Sequence, residues 1–320
     1  MTESKTILLT GATGFVGSHL ARRLVALNYE VHILVRPTSN QWRLDDVSPQ
    51  IKKHSADLQN ADELKKLMAA VRPAVIVHLA THSIFGAFPV DQNDNEIIKT
   101  NLSGFVNLVT AANEIDYRCL INTGSSSEYG LKSAPMTETD ACQPINVYGI
   151  TKLAASLYGQ YMAQTKNKPI VTLRLFSPYG PYDDGKRLIP HVIKAAFLNQ
   201  EINVSNPDIF RDYIYIDDII DLYIKLIEFN NVESIKGEIF NVGSGRQISI
   251  LGAVDKVIEL TGNKNQVNWS KNERVVWEPK MWQADTSKTK KVFDWQPKNS
   301  LADGLNKTIN WFKANMKYYE

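Results

Sequence analysis

The residues Thr10-Gly11-Ala12-Thr13-Gly14-Phe15-Val16-Gly17 decide how the first part of this chain folds. They follow a short apolar run, 6–10, and precede a stretch, 18–27, whose leucines recur at helical spacing, so the glycines lie on a strand-to-helix turn. A helix N-terminus carries unpaired N–H groups and a partial positive charge, and it therefore attracts phosphate. In such turns the first glycine allows the tight bend, the second lets the backbone approach a pyrophosphate, and the third allows close helix packing. The stretch favours dinucleotide binding over an ordinary tight turn.

Length and composition are those of an ordinary soluble enzyme. The 320 residues are 43% apolar and 22% charged, and 36 basic against 34 acidic side chains leave a net charge of +2. A net charge this small gives no indication that the protein binds nucleic acid or a membrane surface. The two cysteines, Cys119 and Cys142, lack metal-ligand spacing, so no metal site is predicted. Because there is no apolar run of about 18 residues and no signal region, we expect a cytoplasmic protein.

Apolar strand-like runs alternate with helical patterns through the first half of the chain. This alternation predicts parallel strands joined by helical crossovers, and hence an α/β fold with a doubly wound parallel sheet of the Rossmann type. Ligands of such sheets lie at the carboxyl ends of the strands. The predicted strands are 6–10, 31–35, 51–56, 74–80, 119–123 and 170–175, and the predicted helices are 18–27, 64–71, 95–113 and 148–165.

The second half of the sequence lacks the regular alternation of strands and helices, and its pattern predicts a smaller α+β domain. It opens with a turn-rich segment, 177–185, and continues with helical patterns and a single clear strand. The predicted elements are helices 189–199, 217–229, 250–261 and 301–316 and the strand 238–242. We therefore expect a dinucleotide-binding domain at 1–178, to which 212–242 returns, and a substrate-binding domain built from 179–211 and 243–320.

Tyr148-Gly149-Ile150-Thr151-Lys152 is the second informative stretch. Residues four apart share a helix face, so the phenol of Tyr148 and the ammonium of Lys152 can converge on one site. A nearby ammonium stabilises phenolate and lowers the pKa of a tyrosine, which makes Tyr148 a candidate proton donor or acceptor. The alternative is a surface tyrosine and lysine, which the placement after the fifth strand disfavours.

A serine-rich turn, 123–130, follows the fifth predicted strand at its carboxyl end. A hydroxyl at this place can hydrogen-bond the same substrate oxygen that Tyr148 protonates. The simpler alternative is a serine-rich turn with no chemical role.

These motifs together make the chain resemble the extended short-chain dehydrogenase/reductases, the NAD(P)-dependent epimerase/dehydratase family whose members modify nucleotide-activated sugars. The resemblance covers nearly the whole length. It rests on TGATGFVG (10–17), Asp57-Leu58, His78-Leu79-Ala80, Asn101-Leu102-Ser103-Gly104, the serine turn, YGITK (148–152), Arg174-Leu175-Phe176-Ser177-Pro178, Arg211-Asp212-Tyr213 and Asn241-Val242-Gly243.

The resemblance implies roles for individual residues. Ser125, four residues before the tyrosine of the YG pair, is the catalytic hydroxyl, Tyr148 is the general acid/base, and Lys152 holds the nicotinamide ribose and tunes Tyr148. The implied cofactor contacts are Gly11, Thr13, Gly14, Phe15, Val16, Gly17, Asp57 and Leu58 beside the adenine, Leu79, Ala80 and Asn101 along the cleft, and Tyr148 and Lys152. The implied substrate contacts are Ser125, Ser177 and Arg211. Ser83 and Arg187 are further candidates, because they lie in the loops around 82–93 and 179–211 on which substrate choice depends.

Arg211 resembles the arginine that pairs with the nucleotide diphosphate, a role that suits a guanidinium because it binds phosphate oxygens bidentately. The alternative is a surface ion pair with Asp212. A further arginine that many relatives carry just before a late Ala-Asp pair (284–285) is out of register here, and Arg274 is the nearest candidate.

Two departures from the family pattern sharpen the prediction. Sugar 4,6-dehydratases carry an acid two positions after the catalytic hydroxyl, where this chain has Ser127. Glu128 is one step further on and would point the other way in a strand-like stretch, so dehydration is disfavoured. At the end of the second strand Arg36 replaces the acid that binds a ribose 2′-hydroxyl, which suits a 2′-phosphate and hence NADP, with NAD still possible. The alternative for Arg36 is a solvated charge.

The leading prediction is therefore an NADPH-dependent reductase of the C4 ketone of a nucleotide-linked 4-keto-6-deoxyhexose, in deoxysugar biosynthesis for a surface polysaccharide such as the O-antigen of lipopolysaccharide. The alternatives are a nucleotide-sugar 4-epimerase with tightly bound NAD(P), and a non-catalytic dinucleotide-binding regulator. The expected partner is a nucleotide-diphosphate sugar.

A homodimer is a further expectation, because two predicted helices carry more apolar side chains than one sheet face needs. The side chains in question are Ile98, Leu102, Leu108, Leu153, Leu157 and Tyr161.

Overall fold

A computed structural model describes residues 5–82, 93–204, 206–263, 266–269 and 279–319 of the protein. Its strands are Thr6–Thr10 (β1), Glu30–Val35 (β2), Ile51–Ser55 (β3), Val75–His78 (β4), Cys119–Ser125 (β5), Ile170–Leu175 (β6), Ser177–Tyr179 (β7), Ile202–Val204 (β8), Phe210–Arg211 (β9), Tyr213–Tyr215 (β10), Ile239–Val242 (β11), Ile248–Ser249 (β12) and Val267–Trp269 (β13). Its helices are Phe15–Ala26 (α1), Ala61–Val71 (α2), Asp94–Ile98 (α3), Gly104–Ala112 (α4), Val147–Lys166 (α5), Leu188–Phe197 (α6), Ile216–Ile227 (α7), Ile250–Thr261 (α8), Ser287–Phe293 (α9) and Leu301–Asn315 (α10).

Seven strands form one parallel sheet in the order β11-β6-β5-β4-β1-β2-β3. The chain starts in the middle of this sheet, runs outward through β2 and β3, and then crosses β1 to continue with β4, β5 and β6. This path confirms the predicted doubly wound α/β fold. The order of strands reverses between β1 and β4, and a crevice at such a switch point is where ligands of these sheets bind.

The sheet forms where the sequence is apolar and β-branched. β4 and β6 are buried along their whole length, because helices cover both faces of a doubly wound sheet. On one face, Leu8 and Ile76 pack with Phe105 of α4 and Ala155 of α5 in a cluster whose members are at least nine-tenths buried. This packing fixes α5, and with it the stretch 148–152, against the sheet.

The predicted helix at 95–113 contains a wider turn than expected. Residues Lys99–Ser103 form a π-helical turn between α3 and α4. The wide turn contains Asn101, whose side chain is 1% exposed and carries hydrogen bonds described below. Single π turns of this kind often occur at functional sites.

The chain divides into two compact units. The first comprises 1–130, 141–175 and 220–240, and the second comprises 131–140, 176–219 and 241–320. The segment 131–140, placed in the dinucleotide-binding domain from the sequence, belongs to the second unit because Met136 forms two backbone hydrogen bonds with the strand-like residues Gln283 and Asp285. The roles of the two units in binding dinucleotide and substrate stay predictions.

The described residues of the second unit form three small two-stranded pairs that the sequence did not reveal. They are β7 with β10, β9 with β12, and β8 with β13. These strands are two or three residues long, too short for an alternating pattern to be recognised. None of the helices in the described ranges is long and apolar enough to cross a membrane.

One residue of the expected dimer face is wrongly assigned. Leu108 is fully buried in the core cluster on the sheet and cannot contact a second chain. Ile98 of α3 is 39% exposed, and Leu157 and Tyr161 of α5 are 53% and 49% exposed. These exposed residues, and the half-buried Leu102 and Leu153, stay candidates for the predicted interface.

Candidate active site

The glycine turn has the geometry that its sequence predicts. Gly11 has a φ of +70°, and a Cβ at this position would lie 2.5 Å from the backbone nitrogen of Ala80. The turn thus brings the ends of β1 and β4 into close contact at the switch point of the sheet. Gly17 is required for a different reason than expected, since its Cβ would lie 2.2 Å from the carbonyl oxygen of Gly11 rather than against the strand.

The N-terminus of α1 fits a phosphate group. Gly14 is exposed, has an ordinary extended backbone, and would place a Cβ only near Gly11 O at 3.3 Å. Within the described chain no side chain caps this helix, and its first turn has no acidic residue. The N–H groups of the first turn are therefore available to an anion, and the open space above Gly14 admits one. Thr13, Phe15 and Val16 lie half-buried around it.

Arg36 lies directly after β2, at the same edge of the sheet as the glycine turn. It is exposed and opens a turn in which its N–H donates to Ser39 Oγ (3.1 Å). Across the described ranges its guanidinium forms no ion pair, which leaves it able to bind an anion.

Four predicted cofactor contacts lie at the ends of β3 and β4. Asp57 is half-buried, and its Oδ1 accepts the N–H of Gln59 (2.9 Å). Leu58 packs into the core cluster instead of standing at the surface. Leu79 is buried and Ala80 half-buried beside the glycine turn.

Asn101 is held by neighbours on both sides. Its Oδ1 accepts from the Thr81 hydroxyl (3.1 Å) and the His82 N–H (2.6 Å), and its Nδ2 donates to His82 O and to Thr151 Oγ1 (3.3 Å). The Thr151 hydroxyl in turn donates to the carbonyl of Tyr148 (2.9 Å). Asn101 therefore ties the segment after β4 to the first turn of α5.

Ser125 ends β5 and caps the short 3₁₀ turn Ser126–Glu128. Its Oγ accepts the N–H of Ser127 (3.1 Å), which leaves its own hydroxyl proton to donate elsewhere. The side chain is 8% exposed, so its orientation is fixed.

The strand alternation expected for Glu128 is wrong. The residues form a 3₁₀ turn, and Glu128 folds back so that Oε1 accepts the N–H of Ser125 (2.8 Å). Its Oε2 forms an ion pair with Arg174 Nε (2.7 Å), and the side chain is fully buried. A buried carboxylate whose two oxygens bind the Ser125 N–H and Arg174 is unsuited to remove a proton from a substrate.

Tyr148 and Lys152 lie on the first turns of α5, which Asn146 caps by accepting the N–H of Gly149 (2.8 Å). A Cβ at Gly149 would lie 2.5 Å from the carbonyl oxygen of Ser127, so α5 starts in direct contact with the serine turn. The structure thus brings the turn that carries Ser125 together with the turn that carries Tyr148. Tyr148 is half-buried and Lys152 is buried.

Burial gives Lys152 an unusual acidity. Desolvation lowers the pKa of Lys152 to about 8, and the negative charge of Glu128 opposes this fall. Burial, together with the charge of Lys152, lowers the pKa of His78 to about 3, so this imidazole is neutral and shares a hydrogen bond with Thr10 Oγ1 (2.8 Å). Lys152 is thus a cation at neutral pH that can stabilise a tyrosinate.

The predicted substrate residues of the described ranges lie in the second unit, apart from Ser125. Ser177 is half-buried in β7. Arg187 precedes α6, is partly exposed, and lies 3.7 Å from the buried carboxylate of Asp183. Ser83 and Arg274 lie outside the described residues.

Arg211 and Asp212 have different surroundings. Its guanidinium lies over the ring of Trp282, 5.2 Å from the centroid, and donates to the carbonyl of Phe210. Asp212 is fully buried and accepts from the N–H groups of Ser244, Gly245 and Ala284 and from the Ser244 hydroxyl. The surface ion pair considered from the sequence is therefore wrong, because backbone groups already satisfy the carboxylate.

Sequence reasoning missed Arg174 as part of this region. The signal was a charged residue inside the wholly buried strand IVTLRL, because a buried arginine requires a partner. Its partner is 46 positions away, and only the pairing of β5 with β6 brings the two together.

Comparison with known proteins agrees with this geometry. The model of the NAD dependent epimerase/dehydratase family matches residues 7–243. The chain is 27% identical to a UDP-glucuronate 4-epimerase of Thermodesulfobacterium geofontis, with 97% of each chain covered, and 25% identical to a UDP-glucose 4-epimerase of Lactobacillus helveticus, with 98% of this chain and 99% of that one covered.

A solved structure is similar over the same length. The UDP-glucuronic acid 4-epimerase of Bacillus cereus, in complex with UDP-glucuronic acid and NAD, superposes with a TM-score of 0.86 at 28% identity and covers 97% of this chain and 99% of its own. The predicted resemblance is confirmed: the chain belongs to the NAD dependent epimerase/dehydratase family.

Proposed function

We propose that the protein is a 4-epimerase of a nucleotide-diphosphate sugar. The observation that carries the proposal is the contact between the serine turn and the first turn of α5, which groups Ser125, Tyr148 and the buried cation Lys152. The named relatives at this level of identity support an epimerase more than the reductase favoured by the sequence.

The residues have distinct tasks in this proposal. When bound, a nicotinamide cofactor would supply a hydride acceptor and donor for C4 of the sugar, held by the glycine turn and Lys152. Tyr148 removes the proton from the C4 hydroxyl and returns it later, Ser125 hydrogen-bonds the same oxygen, and Lys152 stabilises the tyrosinate. In epimerisation the hydride that a bound cofactor accepted from C4 would return to the opposite face of C4, so the configuration at C4 would invert and the cofactor would not be consumed.

Dehydration fits the site poorly. The position two residues after Ser125 holds Ser127, and the nearby carboxylate of Glu128 is buried in its ion pair with Arg174. No acid of the serine turn is therefore placed to remove a proton from the carbon next to the ketone.

A C4 ketone reductase is the second candidate, and Arg36 is the observation that favours it. NADP is usually a consumed reductant, whereas a 4-epimerase recycles its cofactor. The substrate would then be a nucleotide-linked 4-keto-6-deoxyhexose, with deoxysugar synthesis for a surface polysaccharide as the setting. In either reaction we propose that Arg211, Arg187 and Ser177 bind the nucleotide sugar, and that the protein acts in the cytoplasm.

A matrix of cofactors and substrates tests the two candidates. Purified protein is incubated with NAD or NADPH and with UDP-, dTDP-, CDP- and GDP-linked sugars and 4-keto-6-deoxy sugars, and products are identified by NMR. An epimerase interconverts the C4 epimers without net change in cofactor absorbance, and a reductase oxidises NADPH in proportion to product. Absence of both reactions across the matrix contradicts both candidates.

Replacing Arg36 by alanine should change the cofactor preference. If Arg36 binds a 2′-phosphate, a hydrogen bond to a charged group of about 1.5–3 kcal/mol is lost, so the Kd for NADPH rises about ten- to a hundredfold while the Kd for NADH hardly changes. Fluorescence titration of each cofactor measures the effect. Lys53→Ala, an exposed cation on β3, is the matched control, and an equal loss for both cofactors would remove the 2′-phosphate role.

Two exposed apolar residues of α5 test the proposed homodimer. Leu157→Asp with Tyr161→Ser places polar groups on the exposed part of the helix, and sedimentation velocity at micromolar concentration should change from dimer to monomer. Leu198→Asp, which alters an exposed leucine after α6, should leave the dimer intact. A wild-type protein that sediments as a monomer contradicts the proposal.

A further inference from the structure

Glu128 of the serine turn and Arg174 of β6 form a buried ion pair to which the reaction described above assigns no role. Glu128 is 0% and Arg174 2% exposed, and the Oε2–Nε distance is 2.7 Å. The second oxygen of the same carboxylate accepts the N–H of Ser125 at 2.8 Å. One side chain therefore joins the main chain of the catalytic serine to a buried cation.

The surroundings leave this carboxylate no freedom. A Cβ at Gly124 would lie 2.6 Å from Glu128 Oε1 and 3.1 Å from Arg174 Cγ, so only glycine fits between the strand and the pair. The guanidinium carbon lies 4.6 Å from the centre of the Tyr129 ring, which holds the arginine flat. Both groups are fixed by packing as well as by charge.

Glu128 also lies within the electrostatic reach of Lys152. Burial disfavours the charged forms of Lys152 and Arg174 and by itself lowers the pKa of each. The negative charge of Glu128 acts in the opposite direction on both residues. His78 also interacts with Lys152, and it is neutral because its pKa is about 3. One buried anion thus serves two buried cations.

We propose that Glu128 is a positioning residue: it holds the main chain of Ser125 in place, and its negative charge balances the ammonium of Lys152. The proposal rests on the proposed function, since it assigns Ser125 and Lys152 to proton chemistry. Arg174 serves this role by holding the carboxylate in one orientation through the Nε–Oε2 contact. Glu128 does not touch the substrate in this scheme.

Glu128→Gln and Glu128→Leu separate the two parts of the role. Glutamine keeps an oxygen for the Ser125 N–H but removes the charge, so the ammonium of Lys152 is less favoured and the alkaline limb of kcat moves to lower pH by about one unit. At pH 8 the protonated fraction of Lys152 then falls from about one half to about one eleventh, so kcat should fall about fivefold with KM unchanged. Leucine also removes the acceptor, and kcat should then fall further at every pH.

A double variant distinguishes this role from a merely structural one. Glu128→Gln alone leaves Arg174 buried without a partner charge, which destabilises the fold. Glu128→Gln with Arg174→Met removes both charges, and we expect it to recover thermal stability without recovering the wild-type pH limb. Recovery of both would overturn the proposal. Glu138→Gln, which alters a half-buried carboxylate that accepts the Asn241 N–H in the second unit, should move neither measurement.

A titration that needs no turnover completes the test. Lysine labelled with ¹³C at Cε is followed by NMR against pH, and the Lys152 signal is assigned with Lys152→Arg. In Glu128→Gln and in the double variant its midpoint should fall by about one unit from the wild-type value near 8. An unchanged midpoint overturns the proposal. A shifted midpoint in a protein that turns over none of the nucleotide sugars supports the charge balance and contradicts the proposed function alone.

Discussion

Tyr148→Phe should lower kcat by about 10²–10⁴-fold, the usual contribution of a positioned general acid/base. The loss corresponds to about 3–5 kcal/mol of transition-state stabilisation. Phenylalanine fills the same space on α5 but has no proton to exchange with the C4 oxygen. Because Lys152 and the glycine turn are unchanged, the Kd of the cofactor should stay within about threefold of the wild-type value. Steady-state kinetics and cofactor titration measure the two quantities.

Tyr161→Phe is the control for this substitution. It also removes a phenol oxygen from a tyrosine of α5, but from a residue that is 49% exposed and lies 13 positions further along the chain. We expect kcat to be unchanged. A Tyr148→Phe protein with more than a tenth of wild-type kcat would show that another group performs the proton transfer, and the assignment of Tyr148 would be withdrawn.

Among the glycine substitutions considered, Gly17→Ala should have the largest effect on the fold of the glycine turn. The added Cβ would lie 2.2 Å from Gly11 O and 2.8 Å from Ala12 Cα, and both are backbone atoms that cannot rotate away. Overpacking of this kind costs about 1–3 kcal/mol, and here the displaced atoms belong to the turn before α1, where we propose that a phosphate of the cofactor binds. We expect a clear fall in Tm and loss of cofactor binding, measured by thermal unfolding and by titration.

Gly14→Ala is the informative comparison, because Gly14 has an ordinary φ of −79° and its added Cβ would meet only Gly11 O, at 3.3 Å. The fold should tolerate this methyl group with a small change in Tm. Cofactor affinity should still fall, since the methyl occupies the open space above the turn. A Gly17→Ala protein with wild-type Tm and cofactor affinity would contradict the packing argument.

Local patterns predicted most of the central sheet. The runs at 6–10 and 170–175 form strands with those bounds, and 250–261 forms a helix with those bounds. These elements carry a strong apolar period and clear breakers at their ends, so local physics decides them. The short strands of the second unit lack such a period, and they form because distant segments meet.

Two of the proposed catalytic residues were predicted from local spacing, because Tyr148 and Lys152 share a helix face whatever the helix packs against. Ser125 was predicted from the family resemblance, and all three roles stay predictions. Spacing did not reveal the pKa of Lys152 or the conformation of the turn at Ser125. The low pKa of Lys152 depends on burial, and the turn at Ser125 depends on a carboxylate held by Arg174.

The sequence by itself determined the alternation of strands and helices, the glycine turn at 10–17, and the spacing of the tyrosine and lysine on one helix. These follow from periodicity and from the conformations that glycine allows, which are properties of neighbouring residues. The tertiary structure decided that Glu128 turns back to Arg174 rather than alternating along a strand, that Asp212 binds backbone groups rather than Arg211, and that Leu108 faces the core. Each of these depends on charge or surface supplied by a segment far away in the chain, and such partners are known only once the chain is folded.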